Sequence, residues 1–430
     1  MADDNINLRV PGPTPLPDEV RAAGARQMMN HRSADFEAIM REVHTDLRYF
    51  FATEDPVLTF PASGTGGLEA AIVNLLSPGD EALAVSVGVF GDRFAEMASA
   101  FGATVHRLSY PLGRAAEADD VARSLEEHPG ARAVLVTQNE TSTGVLNDVE
   151  GIARAVRAAR PDALLLVDGI SGLGTAPLLT DAWDVDVVVT GSQKAWMAPP
   201  GMTMVSVSAR AWEATRTARL PRYYWDFAKA RKAVDEGNPP YTPAVSLYYA
   251  LQAGLRLLRA EGREAVWAHH DAVAAHAREG AGRLGLGLFA DPAHYSHSVT
   301  SVVVPDGVDG KRLLRDARDQ HNVHFGDGQK SLSGRIIRIG HLGWVDDAQI
   351  DAALEALAAG LAAQGWDASR AAQEPSRPRV DPTPTPWLTG PSDPSRRSDG
   401  PAHQGGNLGG WLPPDPLQPW RVGIDRSGHG

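Results

Sequence analysis

Between residues 56 and 207, short apolar runs alternate with segments whose apolar residues recur at helical spacing. The runs VLTF (57–60), EALAVSV (81–87), ARAVLVTQ (131–138), ALLLVD (163–168), VDVVVTG (185–191) and MTMVSVS (202–208) are rich in Val and Leu and mostly unbroken. Unbroken runs of that length predict strands buried on both faces. Between them, residues 67–76, 91–102, 118–127 and 150–160 predict helices. Strands alternating with helices imply βαβ units and a mainly parallel sheet. Ligands on such sheets gather at the carboxyl ends of the strands.

Farther along, residues 243–285 predict almost continuous helix. SVTSVVVP (298–305), a helix near 310–319, RIIRIGHLG (335–343) and a helix over 346–363 then predict a smaller α+β unit. The pattern divides the chain into an N-terminal arm (1–20), a large α/β domain (21–265), a small C-terminal domain (266–370) and a Pro/Gly-rich tail (371–430). The tail has too little apolar surface to offset the entropy of ordering it, so disorder is expected there.

Charge and composition narrow the chemistry. Acidic residues outnumber basic ones, 53 to 41, for a formal charge of -12, and no basic run is present, which argues against nucleic acid as a partner. There are no cysteines. Disulfides, thiolate metal sites and a thiol nucleophile are therefore excluded. The N-terminus, MADDNINLRVPGP, lacks the basic and apolar regions of a secretory signal, and no stretch approaches the roughly 20 apolar residues that span a bilayer. A cytoplasmic protein, with no membrane partner, is expected. Only five residues are lysines: 194, 229, 232, 311 and 330. Any chemistry that needs an amine has few candidates.

Lys194 is the best placed of them, in Gly191-Ser192-Gln193-Lys194 at the end of a buried-looking strand. By position alone, a lysine snorkelling to water is the simpler reading. Asp168, however, ends the neighbouring run ALLLVD, and parallel strands would bring both residues to one edge. A buried carboxylate needs a positive partner; a protonated pyridine nitrogen is one. Residues 62–71, ASGTGGLEAA, take a strand through a small-residue turn into a helix, a setting that suits a phosphate, though Ser or Thr capping with Glu69 is the plainer alternative. An amine, a carboxylate and a phosphate cradle are what pyridoxal phosphate requires. The histidines at 269, 270 and 276 lack metal-ligand spacing and are read as a solvated helix face.

With these residues in view, the chain resembles the class V aminotransferases of fold type I, most like the alanine–glyoxylate and serine–glyoxylate enzymes. The matching stretches run from about residue 8 to 365: PGPTPLP (11–17), SGTGGLEAAIVNLLSPGD (63–80), GVFGDR (88–93), NETSTGV (139–145), GSQK with the following PPG (191–201), YTPAVSLYYAL (241–251) and IRIGHLG (337–343). The resemblance implies that Lys194 carries pyridoxal 5'-phosphate as a Schiff base and that Asp168 pairs with the ring nitrogen. It assigns Ser63, Gly64, Thr65 and Gln193 to the phosphate and Thr141 to the ring hydroxyl. Phe90 falls where relatives place a stacking aromatic. Tyr241 and Thr242 would reach the phosphate of a neighbouring subunit, which implies a homodimer with shared sites. Arg338 would grip the substrate carboxylate.

The expected reaction is a ping-pong transamination between alanine or serine and an α-keto acid such as glyoxylate or pyruvate. Aspartate or 2-aminoethylphosphonate remains open as donor, since a second pocket arginine could be hidden among the 36 in the chain. A lyase of the same fold is disfavoured, because the desulfurase-like members need a cysteine to carry sulfur.

Overall fold

The apolar runs become strands in the computed structural model, which describes residues 6–367. The tail expected over 371–430 lies outside the described residues. Strand β1 (Asn7–Arg9) precedes β2 (Val57–Phe60), β3 (Glu81–Ser86), β4 (Thr104–Ser109) and β5 (Ala131–Thr137). A short hairpin, β6 (Asn139–Glu140) and β7 (Val145–Leu146), leads to β8 (Leu164–Asp168), β9 (Val187–Gly191) and β10 (Thr203–Val207). Strands β11 (Val299–Val303), β12 (Val323–Asp327) and β13 (Ile336–Gly340) follow.

Seven of these form one sheet in the order β2-β10-β9-β8-β5-β3-β4. Strand β10 runs against both its neighbours, while β3, β4, β5, β8 and β9 pair in parallel. Successive residues of one strand enter different cores: Leu165 and Val167 face one, Leu164 and Leu166 the other. This two-sided burial explains why the runs are continuous rather than alternating. The helix Gly64–Leu75 lies close against the sheet, because a Cβ at Gly67 would overlap Thr203 Oγ1 and Val189. The fold is that of an α/β protein with a mainly parallel seven-stranded sheet.

Some elements were not visible in the pattern. Strand β4 is a polar, half-exposed edge strand whose sequence TVHRLS lacks the apolar run. The helix expected over 243–285 is two helices, Val245–Glu261 and Arg263–Arg283, parted at Gly262 with φ 92°. Among the described residues no helix is long and apolar enough to cross a membrane.

The second sheet, order β1-β12-β13-β11, takes its first strand from the N-terminal arm, paired in parallel with β12. On β1, Arg9 is 1% exposed and no nitrogen of its guanidinium has a hydrogen-bond partner among the described residues. Burial lowers its pKa to about 10, against the pull of Asp346. A buried, unsatisfied cation opposes folding. Arg9→Met should therefore raise the free energy of unfolding by about 1–3 kcal/mol. A urea midpoint that fell on substitution would show that the guanidinium holds the sheet together.

Candidate active site

The turns that leave the carboxyl ends of β2, β3, β5, β8 and β9 meet along one edge of the large sheet. Parallel pairing sets Asp168 opposite Thr137 on one side and Val189 on the other. A cavity opens there, lined by polar and apolar side chains together. Ser63, Gly64 and Thr65 line it from the turn after β2, and Phe90 from the turn after β3. Thr141, Asp168, Gln193 and Lys194 complete the set of expected residues that line it.

Asp168 is 4% exposed, and its Oδ1 accepts from Ile170 N at 3.0 Å. Among the described residues no donor reaches Oδ2. Burial raises its carboxyl pKa to about 7; the charge of Glu140 acts in the same sense, and Lys194 and Arg93 act against it. The opposite happens to the amine. Burial lowers Lys194 to about 8, with Arg338 assisting and Asp168 opposing. The cavity thus holds a carboxylate that lacks a strong cation and an amine that is easily deprotonated.

The helix Gly64–Leu75 begins in this cavity. Ser63 occupies the capping position, but its side chain makes no capping bond, and no acidic residue lies in the first turn. Glu69, the expected capping partner, instead accepts from Trp225 Nε1 at 3.0 Å. The Ser/Thr capping alternative is therefore not what the structure adopts. Gly66 N–H donates to Ser63 O at 2.9 Å, and the N–H groups of Gly64 and Thr65 before it, with the helix dipole, are left for an anion. Nearby, Gln193 Oε1 and Asn139 Oδ1 are buried without a partner among the described residues. The helix terminus and the single-bonded Asp168 fit a group with a phosphate at one end and a cationic ring nitrogen at the other, while the orphaned amide oxygens are left to accept from hydrogen-bond donors. The residues present suit pyridoxal phosphate.

Arg338 does not line the cavity but stands beside it. Its Nε donates to Asp327 O at 2.8 Å and its Nη1 to Thr141 O at 3.0 Å, which ties β13 to the hairpin that presents Thr141. Nη2 has no bond to a described residue, so one edge of the fork is available. Tyr241 and Thr242 are elsewhere, in a second cavity with Lys229 and Tyr224. Tyr241 stacks on Tyr224 with ring centroids 5.5 Å apart.

Several site residues escaped the sequence reading. Glu140 is fully buried and accepts from Phe90 N (3.0 Å), Gly91 N (3.2 Å), Ser142 N (3.1 Å) and Ser142 Oγ (2.5 Å). It fixes the Phe90 turn to the Thr141 hairpin. Arg93 lines the cavity and places its guanidinium 4.8 Å from the Phe90 ring centre. Pro11 O accepts from Lys194 Nζ, and Thr14 bonds to the backbone of Gln193 and Lys194. Adjacent charge in NETSTG and the PGP motif were the only signals. The three histidines do not converge: His269 meets Val345 O, His270 bridges Val266 O and Gly343 N, and His276 meets Asp351.

The chain is similar to known proteins over most of its length. The family model described as aminotransferase class-V matches residues 16–340. A protein of Synechococcus named soluble hydrogenase, small subunit, is 40% identical over 84% of this chain and 94% of its own length. The L-aspartate–glyoxylate aminotransferase of Paracoccus denitrificans is 39% identical over 79% of this chain and 87% of its own. The crystal structure of an alanine–glyoxylate aminotransferase from Nostoc superposes with a TM-score of 0.80 and 32% identity, covering 83% of this chain and 95% of that one.

Proposed function

The chain belongs to the class V aminotransferase family, a pyridoxal-phosphate enzyme of fold type I, and on that premise we propose that it moves the amino group of alanine or serine to glyoxylate. The observation that carries this reading is the single cavity holding Lys194, Asp168 and the uncapped start of the helix Gly64–Leu75. No hydrogenase activity is carried over from the Synechococcus relative, since this chain has no cysteine with which to ligate a redox cluster.

Bound in the cavity, the cofactor supplies the electron sink that makes the substrate's α-C–H acidic. The chain's own residues do the rest. Lys194 would hold the cofactor, and as a free amine it would accept the substrate's α-proton. Asp168 keeps the ring nitrogen protonated by offering the charge that burial otherwise disfavours. Ser63, Gly64, Thr65 and Gln193 would hold the phosphate, and Phe90 and Thr141, which line the same cavity, would hold the ring. Arg338 turns its open edge to the substrate carboxylate. In this reading Arg338→Leu loses a charge-assisted bond, raising KM for the amino donor by about 10- to 100-fold, while the cofactor stays bound. Steady-state kinetics with intact visible absorbance would check both halves.

The enzyme is read as a cytoplasmic homodimer. Tyr241 and Thr242 line a different cavity from Lys194, which leaves them to serve a partner's phosphate. Tyr223 and Tyr224 beside them are 71% and 41% exposed, an apolar surface of the kind a partner covers.

A half-reaction screen tests the assignment. Single amino acids are added to purified enzyme and loss of the cofactor's visible absorbance is followed. Alanine or serine should bleach it and glyoxylate restore it. Bleaching by aspartate alone would move the donor to a dicarboxylate, with Arg93 the candidate for its second acid group. No response to any amino acid would overturn the aminotransferase reading.

A further inference from the structure

The N-terminal arm reaches the reacting amine from the far end of the chain. Lys194 Nζ donates to the carbonyl of Pro11, 183 residues earlier. The next residue, Gly12, has φ +115°, and a Cβ there would lie 2.6 Å from Nζ, 2.8 Å from Cδ and 2.9 Å from Cε of the lysine. The stretch is held on both flanks. Thr14 N donates to Gln193 O at 3.1 Å, and Thr14 Oγ1 donates to Lys194 O at 3.1 Å. Behind it, β1 is paired with β12, and Pro11 Cδ sits 3.0 Å from where a Cβ of Gly326 would stand. The Pro11 carbonyl is thus a fixed acceptor, held to the lysine's own turn and to the sheet that carries Arg338.

An amine freed in a buried site needs an acceptor for its N–H bonds. A carbonyl accepts from the neutral amine and from the ammonium alike. Having no hydrogen to give, it cannot occupy the nitrogen lone pair. A carboxylate in its place would draw the proton to the lysine and weaken it as a base.

We propose that the Pro11 carbonyl is the resting place of the free Lys194 amine, holding it by one N–H with its lone pair open to the cavity, and that Gly12 is required because a side chain there would fill the lysine's position. This rests on the aminotransferase reading of the site. Gly12 and the Pro11 carbonyl are positioning groups: they act on substrate only through Lys194.

Two altered full-length chains test it. Gly12→Ala adds a methyl group against the amine. Replacing the Pro11–Gly12 amide with an ester adds no atom bulk and weakens the acceptor, so it decides the matter if Gly12→Ala fails to fold. Lys194 acetylation is read by peptide mass spectrometry in chains prepared without cofactor, and single-turnover rates are read in the loaded enzymes. The acetylation rate should rise in both chains. The single-turnover rate constant should fall about threefold in the ester and about tenfold or more in Gly12→Ala, while donor KM moves less than about twofold. Unchanged acetylation and turnover in the ester chain would overturn the proposal, and so would a change confined to KM. A wild-type enzyme that no amino acid bleaches would sink the aminotransferase reading, leaving acetylation to judge the resting place.

Discussion

Lys194→Ala should lower the rate of amino-group transfer by about 10³-fold or more, with the folded chain intact. The size of the effect follows from the absence of a substitute. Lys229 has its amine 3.8 Å from the Tyr223 ring centre, and Lys232 pairs with Glu236 at 3.7 Å. Both lie on the helix Phe227–Glu236 and belong to the other cavity or the surface. Lys311 begins an exposed helix face, and Lys330 lies in a short turn before β13. None can move a proton at the substrate α-carbon. The variant should also lose the covalent attachment of the cofactor, so dialysis would strip from it what the wild type retains. Turnover that survived the substitution would mean that another group is the base.

The same residue sets a pH dependence. As a base, Lys194 must be unprotonated, and burial pushes its amine from the usual 10.5 down to about 8. Proton transfer should therefore slow as pH falls below about 8 and level off above it. Arg338 contributes to that lowering. Its neutralisation by a substrate carboxylate raises the amine's proton affinity, which favours uptake of the α-proton once the correct ligand is seated. Rates of the half-reaction measured across pH 6 to 10 would reveal the acid limb, and Arg338→Leu should move that limb upward.

How much of this was legible in the chain depends on where the information sits. Strands β5, β8 and β9 could be read directly, because burial on both faces writes an unbroken apolar run. Lys194 and Asp168 followed, since parallel strands deliver their ends to one edge. What could not be read is whatever depends on distant partners. Strand β1 shows only three residues, and its place beside β12 is set by tertiary pairing. The polar edge strand β4 has no run to detect. Glu140 looked like one more acidic residue; its importance comes from four donors that converge on it from two turns some 50 residues apart. Pro11 acts through a backbone oxygen, which no residue type announces. Arg338 was singled out only through the family resemblance of its motif, and its anchoring to Thr141 O is a property of the folded hairpin.

Asp168→Asn should divide activity from stability. Asparagine keeps the shape and can still accept from Ile170 N–H, so the turn should hold. It cannot balance a protonated ring nitrogen, and without that charge the ring is a poor electron sink. A fall in turnover of about 10²- to 10⁴-fold is expected, comparable with loss of a general acid–base group. The chain without cofactor should respond in the opposite sense. Its Asp168 carboxyl, raised from 3.8 to about 7 by burial, must ionise in a place that disfavours the charge. A raised pKa in the folded state means that the fold binds the proton more tightly than the unfolded chain does. The penalty therefore grows between about pH 4 and 7, is complete above 7, and vanishes at lower pH. The neutral amide of the Asp168→Asn variant removes it. The cofactor-free variant should unfold at a higher temperature than wild type at pH 8 and at the same temperature near pH 4. Saturating cofactor should reverse the order at pH 8, because only the aspartate gains a cation. A variant equally active, or one destabilised at pH 8 without cofactor, would show that Asp168 serves the fold and not the ring.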